Sequence, residues 1–546
     1  MGPKDSNSPS TVAGPQGGDL TRETLSAGAI VMVFVVLAGL YLSRPGLGWD
    51  ESLQVPIAET YRQWFAGLPG TLNWDDLYKT LGRFHSHPPL AEYAIAGATQ
   101  LFGNSMGRLY AARVASVISM AALVAAVYFF TRAARGRLAA LAASVFLILM
   151  PRVFAHSILA SIDMPAALWW FVAAALFYAA MENPKLAWVA GLAAALAFLT
   201  KITAIALPFV LWPWGIFFFG KRAVPAIVWS AMLTPALFFL GWPFLWDTPV
   251  ANVGKYFGEK FPFIVSAYAA FGVDLKTAGD GAHRMMARVD IPVFYFGKVY
   301  SGAVPWHYPL VMTAVTTPIG ILLAAAAGAL RWLGERQNAR LYAFLLWNVV
   351  FWLAAFGAGI FKPYDGVRLF LVIFPFVAIL AGIGLEWAWQ ALLSRGVPKW
   401  LAGAALALFV AAQAIGFARY EPFGLSYYNL AVGGLKGAAA KGLPVTFWGE
   451  TIDDTIYSYI NTNAPEGASI TVFPMGGIYA ENVRFFGLVR PDIRDVAFED
   501  QWDYLIVANR GGYLNSRPDI EALVKDAVVT RYVNGVPTAW LVERKR

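Results

Sequence analysis

Apolar runs of about twenty residues recur along the first 420 positions of the 546-residue chain. At 1.5 Å per residue, each run is long enough as a helix to cross a hydrocarbon layer of about 30 Å. A helix is the form such a run must take, because lipid offers no partners for backbone N–H and C=O groups. The runs fall near 27–43, 107–130, 137–151, 163–181, 185–200, 202–220, 223–245, 308–330, 341–361, 367–389 and 398–418. They predict an α-helical polytopic membrane protein with about eleven transmembrane helices. Only 14% of residues are charged, where a soluble domain carries about a quarter. The stretch 89–103 is apolar but short and begins at Pro88-Pro89, so it predicts an interfacial helix and not a further crossing.

Charge placement orients the spans. With the N-terminus cytoplasmic, the turns 131–137, 182–185, 220–222, 331–340 and 392–399 share one side. They hold Arg132, Arg135, Arg137, Lys185, Lys221, Arg222, Arg331, Arg336, Arg340, Arg395 and Lys399. The positive-inside rule is satisfied at every one of these turns. Counting 89–103 as a span would invert every later turn. The opposite, periplasmic or external, side then receives loops 44–106 and 246–307 and everything after residue 419. The net charge of +8 follows from the same bias and from attraction to anionic headgroups. Nucleic-acid binding is excluded, because no basic-aromatic cluster stands on a soluble domain.

Three regions result. Residues 1–24 are polar and rich in Gly, Pro and Ser, and predict a disordered cytoplasmic tail. Residues 25–420 form the membrane domain with its two long loops. Residues 421–546 form a small soluble α/β domain, with strands expected at 443–448, 468–473, 504–508, 528–533 and 537–542. Helices are expected there at 451–461 and 519–526, and an Asn534-Gly535 hairpin joins the last two strands. The chain has no cysteine, so disulfides and thiolate metal sites are ruled out.

Polar residues at one membrane face carry the chemistry. Asp50-Glu51 follows directly on the first span, where an anchor needs no acid. His85-Ser86-His87-Pro88-Pro89-Leu90 leads into the interfacial segment. Arg113 lies just inside the second span, Asp163 begins the fourth, Lys201 interrupts an apolar stretch, Asp365 precedes the tenth and Arg368 stands at its start. Each such group at a bilayer centre costs roughly 2.5–3.5 kcal/mol on insertion scales. Structural readings stay open for several: a snorkelling Lys201, a buried Arg113–Asp163 pair, a turn at Asp365-Gly366. Together, carboxylates and cations on one face suit the transfer of a group away from phosphate. Fixed cations stabilise the leaving phosphate, and a carboxylate deprotonates an acceptor hydroxyl. No cofactor is required by that chemistry. A divalent metal held by His85, His87, His283 or His307 is a further option, against the plainer reading that histidine collects in polar loops.

The residues resemble the GT-C glycosyltransferases, and in particular the protein O-mannosyltransferases and the bacterial aminoarabinose transferases that modify lipid A. Asp50-Glu51 matches the Asp-Glu motif, His87-Pro88-Pro89-Leu90 the loop motif, Arg113 the second-span arginine and Asp163 the second acidic position. Pro305-Trp306-His307-Tyr308-Pro309 with Thr317-Pro318, Ser426-Tyr427-Tyr428-Asn429 with Gly433-Gly434, and Trp448-Gly449-Glu450 are similar to segments of bacterial members. Ala91-Glu92 stands where the mannosyltransferases have Gly-Lys, and the Trp-Trp-Asp motif of oligosaccharyltransferases is missing.

The resemblance implies a GT-C fold and an inverting enzyme that moves one sugar from a polyprenyl-phosphate carrier to a hydroxyl of a lipid, glycan or protein. By that likeness Asp50 is the base, and Glu51 and Asp163 orient the acceptor or sugar. Arg113, Lys201 and Arg368 hold the donor phosphate, with His87, Asp365, Tyr427 and Asn429 also at the site. The competing class is a transporter or flippase of a lipid-linked or amphiphilic solute. Inverted repeats and broken helices near the midplane would favour it, whereas these charges gather at one face.

Overall fold

The computed structural model describes residues 17–68, 70, 87–246 and 291–544. Helix α1 (Gly17–Tyr41) begins earlier than the expected first span, so residues 17–24 extend a helix and are not tail. Glu23 accounts for part of this, since it is buried and paired with Arg132 at 3.1 Å. After α1 come α2 (Trp49–Ala66), α3 (Leu90–Met106), α4 (Arg108–Ala134), α5 (Arg137–Ile148), α6 (Pro151–Ser157), α7 (Asp163–Glu182) and α8 (Ala187–Thr200). They are followed by α9 (Leu207–Phe219), α10 (Val224–Leu240), α11 (Tyr308–Thr316), α12 (Ile319–Leu330), α13 (Ala339–Gly357), α14 (Phe374–Ser394) and α15 (Lys399–Ala418).

Seven described helices are long and apolar enough to cross a membrane, or up to nine if each of two bent pairs is one span. One of the seven is the stretch Ile202–Leu240, which turns at Gly220 with φ +55°. Its halves run in opposite directions. A Cβ on Gly191 of α8 would meet Trp229 of α10, and one on Gly241 would meet Leu199. Helices α8 and α10 are therefore parallel and in direct contact, and α9 runs the opposite way to connect them. Dividing the stretch there, adding the shorter apolar helix Pro184–Thr200 and counting each bent pair once gives eleven apolar segments, one for each expected run.

The bent pairs have local causes. Helices α5 and α6 meet at 71° where Pro151 starts α6. Helices α11 and α12 meet at 116°, with Thr317 extended ahead of Pro318. Helix α14 is the axis of the bundle, with 89% of its window buried, whereas α1 and α15 keep most of theirs exposed. Small residues bring α14 against its neighbours: a Cβ on Gly384 would lie 1.9 Å from the Ala324 carbonyl, and one on Gly382 2.3 Å from that of Ala139.

The bundle has two chemically different ends. At one, Arg135 pairs with Glu335 and, at 3.7 Å, with Glu386, and Arg331 also holds Glu335. The turns expected on the basic side, 131–137 and 331–340, thus meet. Arg113 and Arg132 lie on α4 roughly 28 Å apart at 1.5 Å per residue. The acidic residues of interest gather at the Arg113 end.

The chain from residue 419 onward returns over that end. Its five-stranded sheet has the order β4-β3-β5-β7-β6, formed by β3 (Ser469–Phe473), β4 (Arg494–Asp495), β5 (Tyr504–Ala508), β6 (Val529–Val533) and β7 (Val536–Glu543). A two-stranded hairpin, β1 (Val293–Tyr295) and β2 (Lys298–Tyr300), forms a separate sheet, with Gly297 N donating to Gly442 O at 2.9 Å. Strand β3 is parallel to β4 and β5, while β7 is antiparallel to β5 and β6. Asn534 and Gly535 take φ of +47° and +73°, as the expected hairpin turn requires. The helices are α16 (Gly434–Ala440), α17 (Asp454–Asn463), α18 (Gly476–Phe485), α19 (Gly511–Leu514) and α20 (Pro518–Leu523). The expected strand 443–448 does not form. Its segment is buried, and its backbone bonds to scattered partners: Leu443 N donates to Ala438 O at 2.9 Å, Tyr428 OH to Pro444 O at 2.8 Å, and Trp49 N to Trp448 O at 2.7 Å.

Candidate active site

Asp50 and Glu51 open α2, and the helix sends them to different partners. Successive residues on a helix diverge by about 100°. Glu51 turns inward as the capping residue of α2, accepting from Gly48 N at 2.8 Å. It also accepts from Ala160 N at 2.8 Å and from Arg113 twice, at 2.7 and 2.8 Å. Arg113 gives its remaining N–H groups to the carbonyls of Leu42, Pro45 and Gly46 at 2.7–3.0 Å. All five guanidinium N–H groups are engaged, and both side chains are 0% exposed. Two charges so fully satisfied fix the entry of the chain into α2. This differs from the expectation that Arg113 holds a donor phosphate and that Glu51 orients a substrate, because neither presents a free polar atom.

Asp50 faces the other way, into an ion cluster. Arg368, in the 3₁₀ turn ahead of α14, donates Nη2 to Asp50, Nε to Asp163 at 3.0 Å and Nη1 to Asp365 at 3.4 Å. Asp163, the first residue of α7, also accepts from Lys201. Lys201 is aimed there because α8 ends at Thr200 and Lys201 turns to extended backbone. His156 of α6 lies 4.0 Å from Asp163 and packs edge-on against Trp448 at 4.9 Å. The Trp448 ring also underlies the Arg368 guanidinium at 4.6 Å. Burial pushes Asp50 up to about 6, against the opposing pull of Arg368 and with a further push from Asp163 and Asp365.

Asp365 is the outer edge of the cluster. It accepts from Trp448 Nε1 at 3.1 Å and from Arg510 Nη2 at 2.9 Å. Beside it a cleft opens, walled by Phe294, Tyr308, Phe447, Arg510 and Tyr513.

The structure thus brings Asp50, Asp163, Lys201, Asp365 and Arg368 together, and sets Glu51 and Arg113 beneath them. It does not bring in Tyr427 and Asn429. Asn429 Nδ2 donates to the carbonyls of Ala314 and Thr317 at 2.7 and 2.8 Å, which staples the break between α11 and α12. Tyr427 packs on Tyr420, and its carbonyl accepts from Arg152 at 3.2 Å. His87 is half-buried ahead of α3. His307 shares a 2.8 Å hydrogen bond with Tyr295. His85 and His283 lie outside the described residues. Among the described residues no three His, Asp or Glu side chains gather in a metal-holding group.

Arg510 and Arg152 were not found by sequence reasoning. Arg510 follows an ordinary apolar strand and carries no local signal. Arg152 does carry one: an arginine at the opposite end from the basic turns, immediately after an apolar run. It is buried, with Tyr428 and Phe447 rings each 4.9 Å from its guanidinium carbon.

Residues 86–244 match the family model described as dolichyl-phosphate-mannose-protein mannosyltransferase, a group already reached from the motifs. The matched stretch includes His87, Arg113, Asp163 and Lys201, and leaves out Asp50 and Arg368. No curated protein matches the chain. Among solved structures, ArnT from Cupriavidus metallidurans bound to undecaprenyl phosphate is 16% identical, with 97% of this chain and 98% of that chain covered and a TM-score of 0.45. The apo state of the same protein is 15% identical over 96% and 98%, at 0.49. The archaeal oligosaccharyltransferase AglB from Archaeoglobus fulgidus, in complex with an inhibitory peptide and a dolichol-phosphate, is 14% identical over 90% and 70%, also at 0.49.

Proposed function

We propose that the chain is a GT-C glycosyltransferase that moves a single sugar from a polyprenyl-phosphate carrier to an acceptor hydroxyl, at the membrane face opposite the basic turns. The observation that carries this reading is the pairing of Asp50 with Arg368. It puts one carboxylate, raised toward neutrality by burial, against a cation within a cluster at the end of a membrane bundle. The match of residues 86–244 to a sugar-transferring family supports it.

The acceptor oxygen attacks the anomeric carbon as its proton passes to Asp50. The bond from that carbon to the phosphate oxygen breaks on the opposite side, so configuration inverts. The carrier phosphate leaves with the electron pair and gains negative charge. Lys201 and Arg368 are the cations that meet this charge. Asp163 holds both of them in place. Arg113 and Glu51 act at one remove by fixing the first turn of α2 and so the direction of Asp50. A donor with a lipid tail explains why the cluster stands at a membrane face. No step needs a metal.

The test is direct. The purified protein is incubated with a panel of polyprenyl-phosphate sugars and native lipid extract, and release of free carrier phosphate is measured. Transfer dependent on one donor, lost in Asp50→Asn, is expected. Absence of turnover with every donor, with movement of a lipid-linked solute across vesicles instead, would overturn the proposal in favour of transport.

A further inference from the structure

The C-terminal α/β domain touches the cluster at two places. On the side of the base, its backbone pairs with the loop that delivers Asp50, through Gly46, Trp49, Trp448 and Glu450. Tyr479 of α18 donates to Leu47 O, and its ring stacks on Trp49 at 6.5 Å and 11°. A Cβ on Gly46 would lie 1.8 Å from the Ile452 carbonyl, so the two surfaces meet at backbone distance.

On the far side, Arg510 reaches in from the loop after β5 to Asp365. Asp365 is held in an unusual backbone position, with φ +52° and Gly366 after it at +71°. Residues other than glycine seldom adopt that region. Tyr308 OH accepts from Gly366 N at 3.1 Å and helps hold the turn. The result is a carboxylate shared between two arginines, one from each domain: Oδ1 to Arg510 at 2.9 Å and Oδ2 to Arg368 at 3.4 Å.

We propose that Arg510 is a positioning residue for the base, and that the C-terminal domain is thereby part of the catalytic unit. By engaging Asp365, Arg510 leaves Arg368 to Asp50 and Asp163. The bonded cluster holds three carboxylates (Asp50, Asp163, Asp365) and three cations (Lys201, Arg368, Arg510), and the domain supplies the third cation. Without it, Asp365 has one cationic partner, Arg368, and draws that guanidinium toward itself. Asp50 then loses part of its counter-charge and feels an uncompensated neighbour. Both effects favour the protonated form of Asp50. The charged and titratable groups facing Asp50 are Arg368, Asp163, Asp365, Lys201 and Tyr364. Behind them stand His156, Arg152 and Glu450.

This inference rests on Asp50 being the base, so its test reads Asp50 both with and without turnover. Full-length Arg510→Ala, Arg510→Lys, Asp365→Asn and the Arg510→Ala/Asp365→Asn double variant are compared with the parent and with Asp50→Asn. Two quantities are followed against pH: carrier release, and labelling of Asp50 by a hydrophobic carbodiimide read by mass spectrometry, which reacts with the protonated carboxyl.

In Arg510→Ala both the acid limb of turnover and the labelling midpoint should move up by about one pH unit. Arg510→Lys should move them less, and Asp365→Asn in the double variant should bring them back. A folded Arg510→Ala protein with unchanged midpoints would overturn the proposal, as would a shift that Asp365→Asn fails to relieve. Failure of the functional reading looks different: the parent releases no carrier, or Asp50→Asn keeps its turnover, while the labelling midpoints still show whether Arg510 sets the protonation of Asp50.

Discussion

Arg368 donates Nη2 to the carboxylate of Asp50 across 318 positions of sequence. Through Nε the same guanidinium holds Asp163, the residue that also fixes Lys201. One side chain thus connects the start of α2, the start of α7, the end of α8 and the turn before α14. The proposed base and two cations are oriented by one set of bonds, with little freedom left to any of them.

Replacing Asp50 by Asn keeps the shape and removes the base. Turnover should fall by about 10²–10⁴-fold while the protein stays folded. Carrier release from a polyprenyl-phosphate sugar measures the first, and a thermal unfolding scan in detergent the second. A variant within threefold of the parent rate would reject Asp50 as base.

Activity should depend on pH in a specific direction. Asp50 must be ionised to accept a proton, and burial holds it at about 6. The rate is therefore retained above that value and falls tenfold per unit below it. A pH–rate profile between 4.5 and 8 is the check, and a limb near the ordinary carboxylate range of about 4 would contradict the buried cluster.

The Glu51–Arg113 pair predicts a change in stability and not in donor affinity. Arg113→Ala leaves Glu51 buried at 0% exposure with no cation. Breaking a pair in that way costs about 3–5 kcal/mol. The expected result is a large loss of thermal stability, and an unchanged KM for the donor in whatever folded protein survives. A raised KM at unchanged stability would return Arg113 to the phosphate.

Lys201→Met removes a cation from Asp163 while Arg368 still holds the other oxygen. The side chain is similar in length and apolar, so folding should persist. If Lys201 meets the leaving phosphate as proposed, turnover should drop about 10²-fold, because one fixed charge is lost. Single-turnover kinetics separate this loss from weaker donor binding.

Glu92 offers a control away from the cluster. It is buried in α3, its Oε2 has no hydrogen-bond partner, and burial pushes it up to about 8. At pH 7 it is therefore mostly protonated and uncharged. Glu92→Gln should leave stability within about 1 kcal/mol, whereas Glu92→Lys, which buries a charge, should cost several. Equal losses in the two variants, measured by thermal unfolding, would show that the native carboxyl is ionised.

Much of this protein was determined by sequence alone. Apolar run length set the crossings, because a helix must match the hydrocarbon thickness, and the basic turns showed which loops lie together. Asp50, Asp163, Lys201, Asp365 and Arg368 were legible because an ionisable group beside a membrane span is costly and stands out. The partners were not legible. Asp50 and Glu51 are neighbours in sequence, and only the rotation of α2 sent one to Arg368 and the other to Arg113. Asn429 resembled a site residue, yet it closes a helix break, since a bend exposes carbonyls that some side chain must satisfy. The backbone of 443–448 bonds to Ala438, Tyr428 and Trp49 in place of a neighbouring strand. The interactions that decide Asp50, Glu51 and Asn429 join segments far apart in the chain, and they exist only once the helices have packed.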